Sequence, residues 1–258
     1  LPMNFAAPDQ AADYVVTGAW GEKAVAEAKT SAALLGGEVR VAGSSGTGDG
    51  KEKDYARVAS QADIKSTAGA RYVHITSNET IHGLEYDATA EAPWPTLEGD
   101  VICDMSSDFL WKPMDLGRFA MVYAGAQKNI GPSGLVVVVA RKDFVESGRK
   151  DLPKILQYRT AATNNSLYNT PPTFAIYLVR NVLAWLKDEG GLGPMEEKNR
   201  KKARAVYGAI DNSAGFYRCP VEVPSRSVMN LVFRLPTEAL EDQFVAEAKK
   251  AGMVGLKG

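Results

Sequence analysis

The sequence predicts an α/β fold built on a mostly parallel, doubly wound sheet with helices on both faces. Three observations predict it: short apolar runs of strand length alternate with helical patterns, glycine pairs stop the helices, and two all-apolar runs bracket a Gly/Pro turn at Lys128.

In chain order, Ala12–Thr17 reads as a strand and Glu22–Leu35, alanine-rich and stopped by Gly36-Gly37, as a helix. Glu38–Ala42 is a second strand, and Ser44–Gly50, with its three glycines, a loop. Tyr72–Thr76 and Asp100–Asp104 are the third and fourth strands. Phe119–Tyr123 and Leu135–Ala140 are the fifth and sixth, both with the pattern of buried strands. Pro171-Pro172 then introduces a helix over Thr173–Lys187, closed by Gly190-Gly191. A second helix is expected over Glu196–Ile210, with Val206, Ala209 and Ile210 on its apolar face. From about residue 216 the pattern changes to strands, clearest at Val228–Phe233, followed by a helix over Thr237–Ala251. The expected organisation is a large domain over 1–195 and the start of a smaller α+β domain over 196–258.

Composition excludes several classes. Among 258 residues, 30 Lys and Arg balance 31 Asp and Glu, and no basic stripe with interleaved aromatics marks a nucleic-acid partner. No apolar run nears the roughly 18 residues of a membrane helix. Cys103 and Cys219 are too few and too far apart for a disulfide framework or a metal site, so a reducing cytoplasm is expected. The opening Leu1-Pro-Met-Asn-Phe lacks a start methionine and a signal peptide, and reads like the middle of a protein.

Candidate chemistry gathers at strand ends. Thr80, Asp104 and Lys128 stand 24 residues apart at each step, about one strand-to-strand repeat, each at or just past a carboxyl end. Lys128, desolvated by small neighbours, would gain a lowered pKa and nucleophilic character. A lysine, a carboxylate and a hydroxyl in one crevice form the set that holds pyridoxal phosphate. The carboxylate keeps the ring nitrogen protonated, the hydroxyl meets the ring oxygen, and the lysine takes the carbonyl. Each alone has a plainer reading: a turn lysine, a helix N-cap, a turn hydroxyl. His74 alternates with Val73 and Ile75 and reads as a core or supporting residue; His82 is a candidate to line the site. Ser106 and Ser107 are read as phosphate neighbours or helix caps, and two histidines with no glycine-framed serine give a hydrolase triad little support.

Three strings carry a resemblance. Ala124-Gly-Ala-Gln-Lys-Asn-Ile-Gly-Pro-Ser-Gly134, Tyr168-Asn-Thr-Pro-Pro-Thr-Phe174 and Ser77-Asn-Glu-Thr-Ile81 closely resemble the phosphoserine aminotransferases along the whole chain. The resemblance implies fold type I of the class-V aminotransferases and a homodimer with shared active sites. It also implies transfer of an amino group from glutamate to 3-phosphohydroxypyruvate, giving O-phosphoserine and 2-oxoglutarate. It makes Lys128 the Schiff-base lysine and the base that moves the proton, and Asp104 the partner of the ring nitrogen. Thr80 becomes the neighbour of the ring hydroxyl, Trp20 the aromatic stacked on the ring, and Gln127 a phosphate ligand. Asn169 and Thr170 would reach the phosphate in the opposite subunit.

Departures from the family are also expected to matter. Full-length members carry an N-terminal histidine-arginine pair and a glycine-rich phosphate turn, and C-terminal residues beyond Leu256-Lys-Gly258 that bind the substrate carboxylate. None lies in these 258 residues, so the expectation is a fragment that turns over poorly. Alternatives are another class-V enzyme, such as an alanine-glyoxylate aminotransferase or a cysteine desulfurase, or a non-catalytic protein that binds the cofactor. Cys103 in a strand and Cys219 before Pro220 are poor desulfurase nucleophiles. Some members of the family also act on a related phosphorylated acid in vitamin B6 synthesis.

Overall fold

The computed structural model describes residues 1–48 and 53–256. Its framework is a six-stranded sheet of β1 (Ala11–Val16), β2 (Glu38–Ser44), β3 (Tyr72–Thr76), β6 (Val101–Asp104), β7 (Met121–Gly125) and β8 (Val136–Ala140). Two-residue strands β4 (Asn78–Glu79) and β5 (Leu84–Glu85) form a separate antiparallel pair. The helices are α1 (Pro2–Phe5), α2 (Ala19–Leu35), α3 (Lys142–Glu146), α4 (Tyr158–Thr163), α5 (Thr173–Asp188), α6 (Leu192–Asp211) and α7 (Glu238–Lys250).

The spatial order is β2-β1-β3-β6-β7-β8, parallel throughout except for β8. The mostly parallel sheet is therefore as expected. From β1 the chain steps outward to β2, then crosses back to β3 and continues the other way. This reversal makes the carboxyl ends of β1 and β3 a switch point, where open α/β sheets hold ligands.

Burial follows from that order. Every residue of β3 is buried, and β1 is buried from Ala12 to Val16, because central parallel strands are covered on both faces. The β1–β2 crossover is α2, whose alanines carry little entropic cost and whose end is set by Gly36 at φ +79. The other described crossovers to β3, β6 and β7 use turns and the 3-10 segments Gln61–Asp63 and Leu116–Arg118. Helices are thus fewer there than the alternation predicts; before β6 and β7, Pro93, Pro95 and Pro113 lack the N–H an interior helical turn requires.

Three expectations are corrected. The stretch Leu135–Ala140 does form a strand, but among the described residues β8 ends the sheet on its side, with Val136, Val138 and Val139 exposed at 61%, 40% and 41%. Val228–Phe233 is not a strand. The neighbouring bridges, Leu84 to Arg226 and Arg218 to Arg234, both fall outside it, and without a ladder β-propensity has nothing to act on. Finally, α6 begins at Leu192 rather than Glu196, because Pro194 falls in its first turn, where a missing N–H costs nothing. The division expected at 195/196 lies just inside this helix. Asp49 and Gly50 of the expected loop, and Lys257 and Gly258 at the chain end, lie outside the described residues.

The C-terminal segment is tied to the β4–β5 pair by polar contacts. Buried Glu85 accepts from Val228 N at 2.7 Å and Ser227 Oγ at 3.2 Å, and Asn78 Nδ2 donates to Asn230 Oδ1 at 2.7 Å. Phe144 closes the other end, stacked on Phe5 at 4.2 Å. Among the described residues no helix is long and apolar enough to cross a membrane.

Candidate active site

Parallel register aligns the strand ends: Thr76 pairs with Asp104, and Asp104 with Tyr123. Trp20 stands in the first turn of α2, Thr80 just past β4, Asp104 at the end of β6 and Lys128 in the turn after β7.

Lys128 is held from two sides. Its Nζ donates to Thr80 Oγ1 at 2.7 Å and lies 4.4 Å from the centroid of the Trp20 ring. Lys23 Nζ lies 4.5 Å from the same centroid. The side chain as a whole is exposed, yet loss of water around it lowers the Lys128 pKa from its ordinary value. Asp104, Glu79 and Asp108 oppose that shift and Lys23 adds to it. An indole and a hydroxyl stand beside the amine, and Gly131 lines the same groove.

Asp104 is fixed without capping an α-helix. Its Oδ1 accepts from Ser106 N at 2.9 Å and Ser106 Oγ at 2.6 Å, and Ser106 Oγ in turn accepts from Gly125 N at 3.0 Å. Ser106 therefore orients the carboxylate and ties it to the strand that leads to Lys128. Ser107 serves elsewhere, donating to Asn78 O at 2.9 Å and accepting from Asn78 Nδ2 at 2.8 Å. Behind Asp104, Tyr123 OH lies 2.9 Å from His74 Nε2, and the His74 ring stacks on Tyr14 at 5.1 Å. Burial lowers the His74 pKa to about 4 against the pull of Asp104, so this ring is neutral at physiological pH. Burial first, and then Asp104, raise the Tyr123 phenol. His74 is thus the core residue the sequence suggested.

His82 is half-buried, with its ring edge against Tyr55 and its Nδ1 accepting from Ala19 N at 3.4 Å. It caps α2, and among the described residues no hydrogen bond joins it to Lys128. Gln127 is exposed beside Lys128 and folds over Gly125, where a Cβ would stand 2.8 Å from Gln127 Oε1. Asn169 and Thr170 are exposed between α4 and α5. Among the described residues neither hydrogen-bonds to Lys128, Thr80, Asp104 or Trp20. An open groove runs from Lys128 toward α5, lined also by Pro132, Leu178 and Trp185.

One member of the site was not anticipated. Glu79 is 1% exposed, and its Oε2 and Oε1 accept from Trp20 N at 2.9 Å and Gly21 N at 2.8 Å. Its carboxyl is pushed up to about 7, burial leading and those two N–H groups opposing. A signal was present: α2 opens on Gly18-Ala-Trp-Gly21 with no Ser, Thr, Asp or Asn cap, so its N–H groups needed a partner from elsewhere.

The donor set suits a planar aromatic aldehyde with a ring hydroxyl and a ring nitrogen. The amine can take the carbonyl carbon, Thr80 the hydroxyl, Asp104 the protonated nitrogen and the Trp20 face the ring. No group of three or more metal-ligating side chains occurs among the described residues.

The chain is similar along its length to known proteins. The family model described as aminotransferase class-V matches residues 3–255. A phosphoserine aminotransferase of Herpetosiphon aurantiacus is 47% identical over all 258 residues, which span 68% of its length. One of Niallia circulans is 48% identical over 258 residues, 67% of its length. The solved phosphoserine aminotransferase of Bacillus circulans subsp. alkalophilus superposes on the whole chain with a TM-score of 0.90 at 48% identity, the chain covering 67% of it. A PLP-bound phosphoserine aminotransferase from Trichomonas vaginalis gives 0.88 at 33% identity, with 70% of that protein covered.

Proposed function

The chain belongs to the class-V aminotransferases and, within them, to the phosphoserine aminotransferases, and from that premise we propose that its site serves pyridoxal-phosphate-dependent transamination. The proposed reaction moves the amino group of glutamate to 3-phosphohydroxypyruvate, yielding O-phosphoserine and 2-oxoglutarate in serine biosynthesis. The observation that carries the reading is the meeting of Lys128 with Thr80 and Trp20 beside Asp104 at the switch point of the sheet.

Bound pyridoxal phosphate supplies an electron sink next to the substrate carbon. The chain's own residues do the rest. Lys128, whose pKa burial lowers, would hold the cofactor carbonyl through its amine and would then carry a proton between carbons. Thr80 Oγ1 orients that amine, and Asp104, fixed by Ser106, would pair with the ring nitrogen. Trp20 would provide the flat support, and Gln127 would bind the phosphate.

We further propose that residues 1–195 form the cofactor-binding domain and 196–258 open a smaller one. Asn169 and Thr170 serve the partner's phosphate in a homodimer, a reading supported by their exposure. A cytoplasmic location is in keeping with two free cysteines.

The test is the visible absorption of the protein mixed with pyridoxal phosphate, with a Lys128→Ala control, before and after glutamate. A band that needs Lys128 and fades with glutamate supports the reading. A band indifferent to Lys128 refutes it.

A further inference from the structure

Residues 79 and 80 face opposite ways across the site. Thr80 Oγ1 takes the Lys128 amine at 2.7 Å, while the Glu79 carboxylate takes the backbone N–H groups of Trp20 and Gly21. The start of α2 is shaped to receive that carboxylate. A Cβ on Gly18 would stand 2.6 Å from Glu79 Cδ and 2.7 Å from Oε2, and one on Gly21 would stand 3.3 Å from Oε1. Two glycines three residues apart thus form a slot that any side chain would fill. A local serine or aspartate would cap a helix at far lower desolvation cost, so a buried glutamate supplied from 59 residues away calls for another reason. The reason lies in what the capped residue carries: Trp20 puts its ring 4.4 Å from Lys128 Nζ.

We propose that Glu79 is a positioning residue for the cofactor, clamping the backbone of Trp20 so that the indole plane keeps a fixed height and tilt beside Lys128. The inference rests on the transamination reading above. Glu79 fixes the support for the ring, Thr80 fixes the amine, and the peptide between them locks the two distances together. A mere helix cap would affect stability alone; a positioning residue acts on cofactor binding, and does so through Trp20.

A double-mutant cycle separates the two. The dissociation constant for pyridoxal phosphate is read from the Lys128-dependent visible band in the parent, Glu79→Gln, Trp20→Leu and the double variant. Urea unfolding of each cofactor-free protein runs alongside. Glutamine keeps the shape but leaves one of the two N–H groups facing an amide NH2, so Glu79→Gln weakens binding about tenfold when Trp20 is present. In the Trp20→Leu background the same change weakens it less than about twofold. Gly18→Ala leaves Glu79 intact and displaces its carboxylate, and shows the same dependence on Trp20; it carries the test if Glu79→Gln does not fold. Equal losses in both backgrounds, or unchanged binding with lowered stability, overturn the proposal while leaving the cofactor reading in place. A parent protein with no Lys128-dependent band overturns both.

Discussion

Replacing Glu85 with glutamine is expected to change how stability depends on pH, and the size of the effect follows from the geometry. The Glu85 carboxyl is 0% exposed. Its Oε2 accepts from Val228 N and Ser227 Oγ, while Oε1 has no partner. Burial raises its pKa from 4.5 to about 7, against the two hydrogen bonds and the nearby charges of Lys112 and Arg200, with Asp108 as its buried acidic neighbour. Since the folded-state value lies above the ordinary one, the folded protein holds this proton more tightly. The stabilisation is complete below about pH 4.5, declines as the pH rises, and is gone above about pH 7. Each factor of ten in proton affinity is worth about 1.4 kcal/mol, so the window spans about 3 kcal/mol. Glutamine keeps the accepting oxygen and removes the titration. The amide NH2 placed where Oε1 was adds a cost of about 1–3 kcal/mol, but that cost is constant with pH and cancels in the slope. Glu79 titrates in the same window in both proteins and cancels as well. Urea unfolding at half-unit steps from pH 4.5 to 8 is the assay. The parent should lose about 3 kcal/mol more than Glu85→Gln across the series. Parallel curves would refute the reasoning.

Other outcomes are expected at the site and in the core. Asp104→Asn removes the negative partner of the ring nitrogen and should slow the glutamate half-reaction by roughly 100-fold or more, measured by single-turnover bleaching of the visible band. Phe144→Ala empties the stack on Phe5 and removes the ring under Arg71, 5.0 Å away, and should cost about 3–5 kcal/mol in urea unfolding. Thr237→Ala removes the cap that accepts from Leu240 N and should cost about 1 kcal/mol, seen as faster amide exchange in the first turn of α7. Reductive methylation followed by NMR should show Lys128 titrating below the surface lysines.

What the sequence revealed and what it hid divide by range. Tyr72–Thr76 and the start of the helix at Thr173 are read at their observed boundaries, because an apolar run and a proline pair are local signals. The meeting of Lys128 with Thr80 was legible because strand ends in a parallel sheet fall on one side. The part played by Glu79 was not, since its partners lie 58 and 59 residues away and no window spans them. Valines at 136–139 announce a strand but cannot say whether it is central or an edge, which depends on neighbours in space. Val228–Phe233 failed for the same reason in reverse: the composition of a strand, with no ladder to join. Ser106 was assigned to a phosphate or a cap because its true acceptor, the carboxylate two residues back, is set by a turn that composition does not specify.

The antiparallel turn of β8 has a consequence for how Lys128 moves. The lysine loop leaves the sheet at the rung Gly125–Val136 and returns to that same rung, with Ala126 N donating to Leu135 O at 3.0 Å just inside it. Most loops in parallel sheets join strands through a long crossover and can open at one end without disturbing the other. Here the two ends are one hydrogen-bonded pair, so freeing the lysine means unzipping the border of the sheet. The reach of the amine is therefore tied to the pairing of β8 with β7. Amide exchange in the lysine turn should keep time with β8 rather than with the other surface loops.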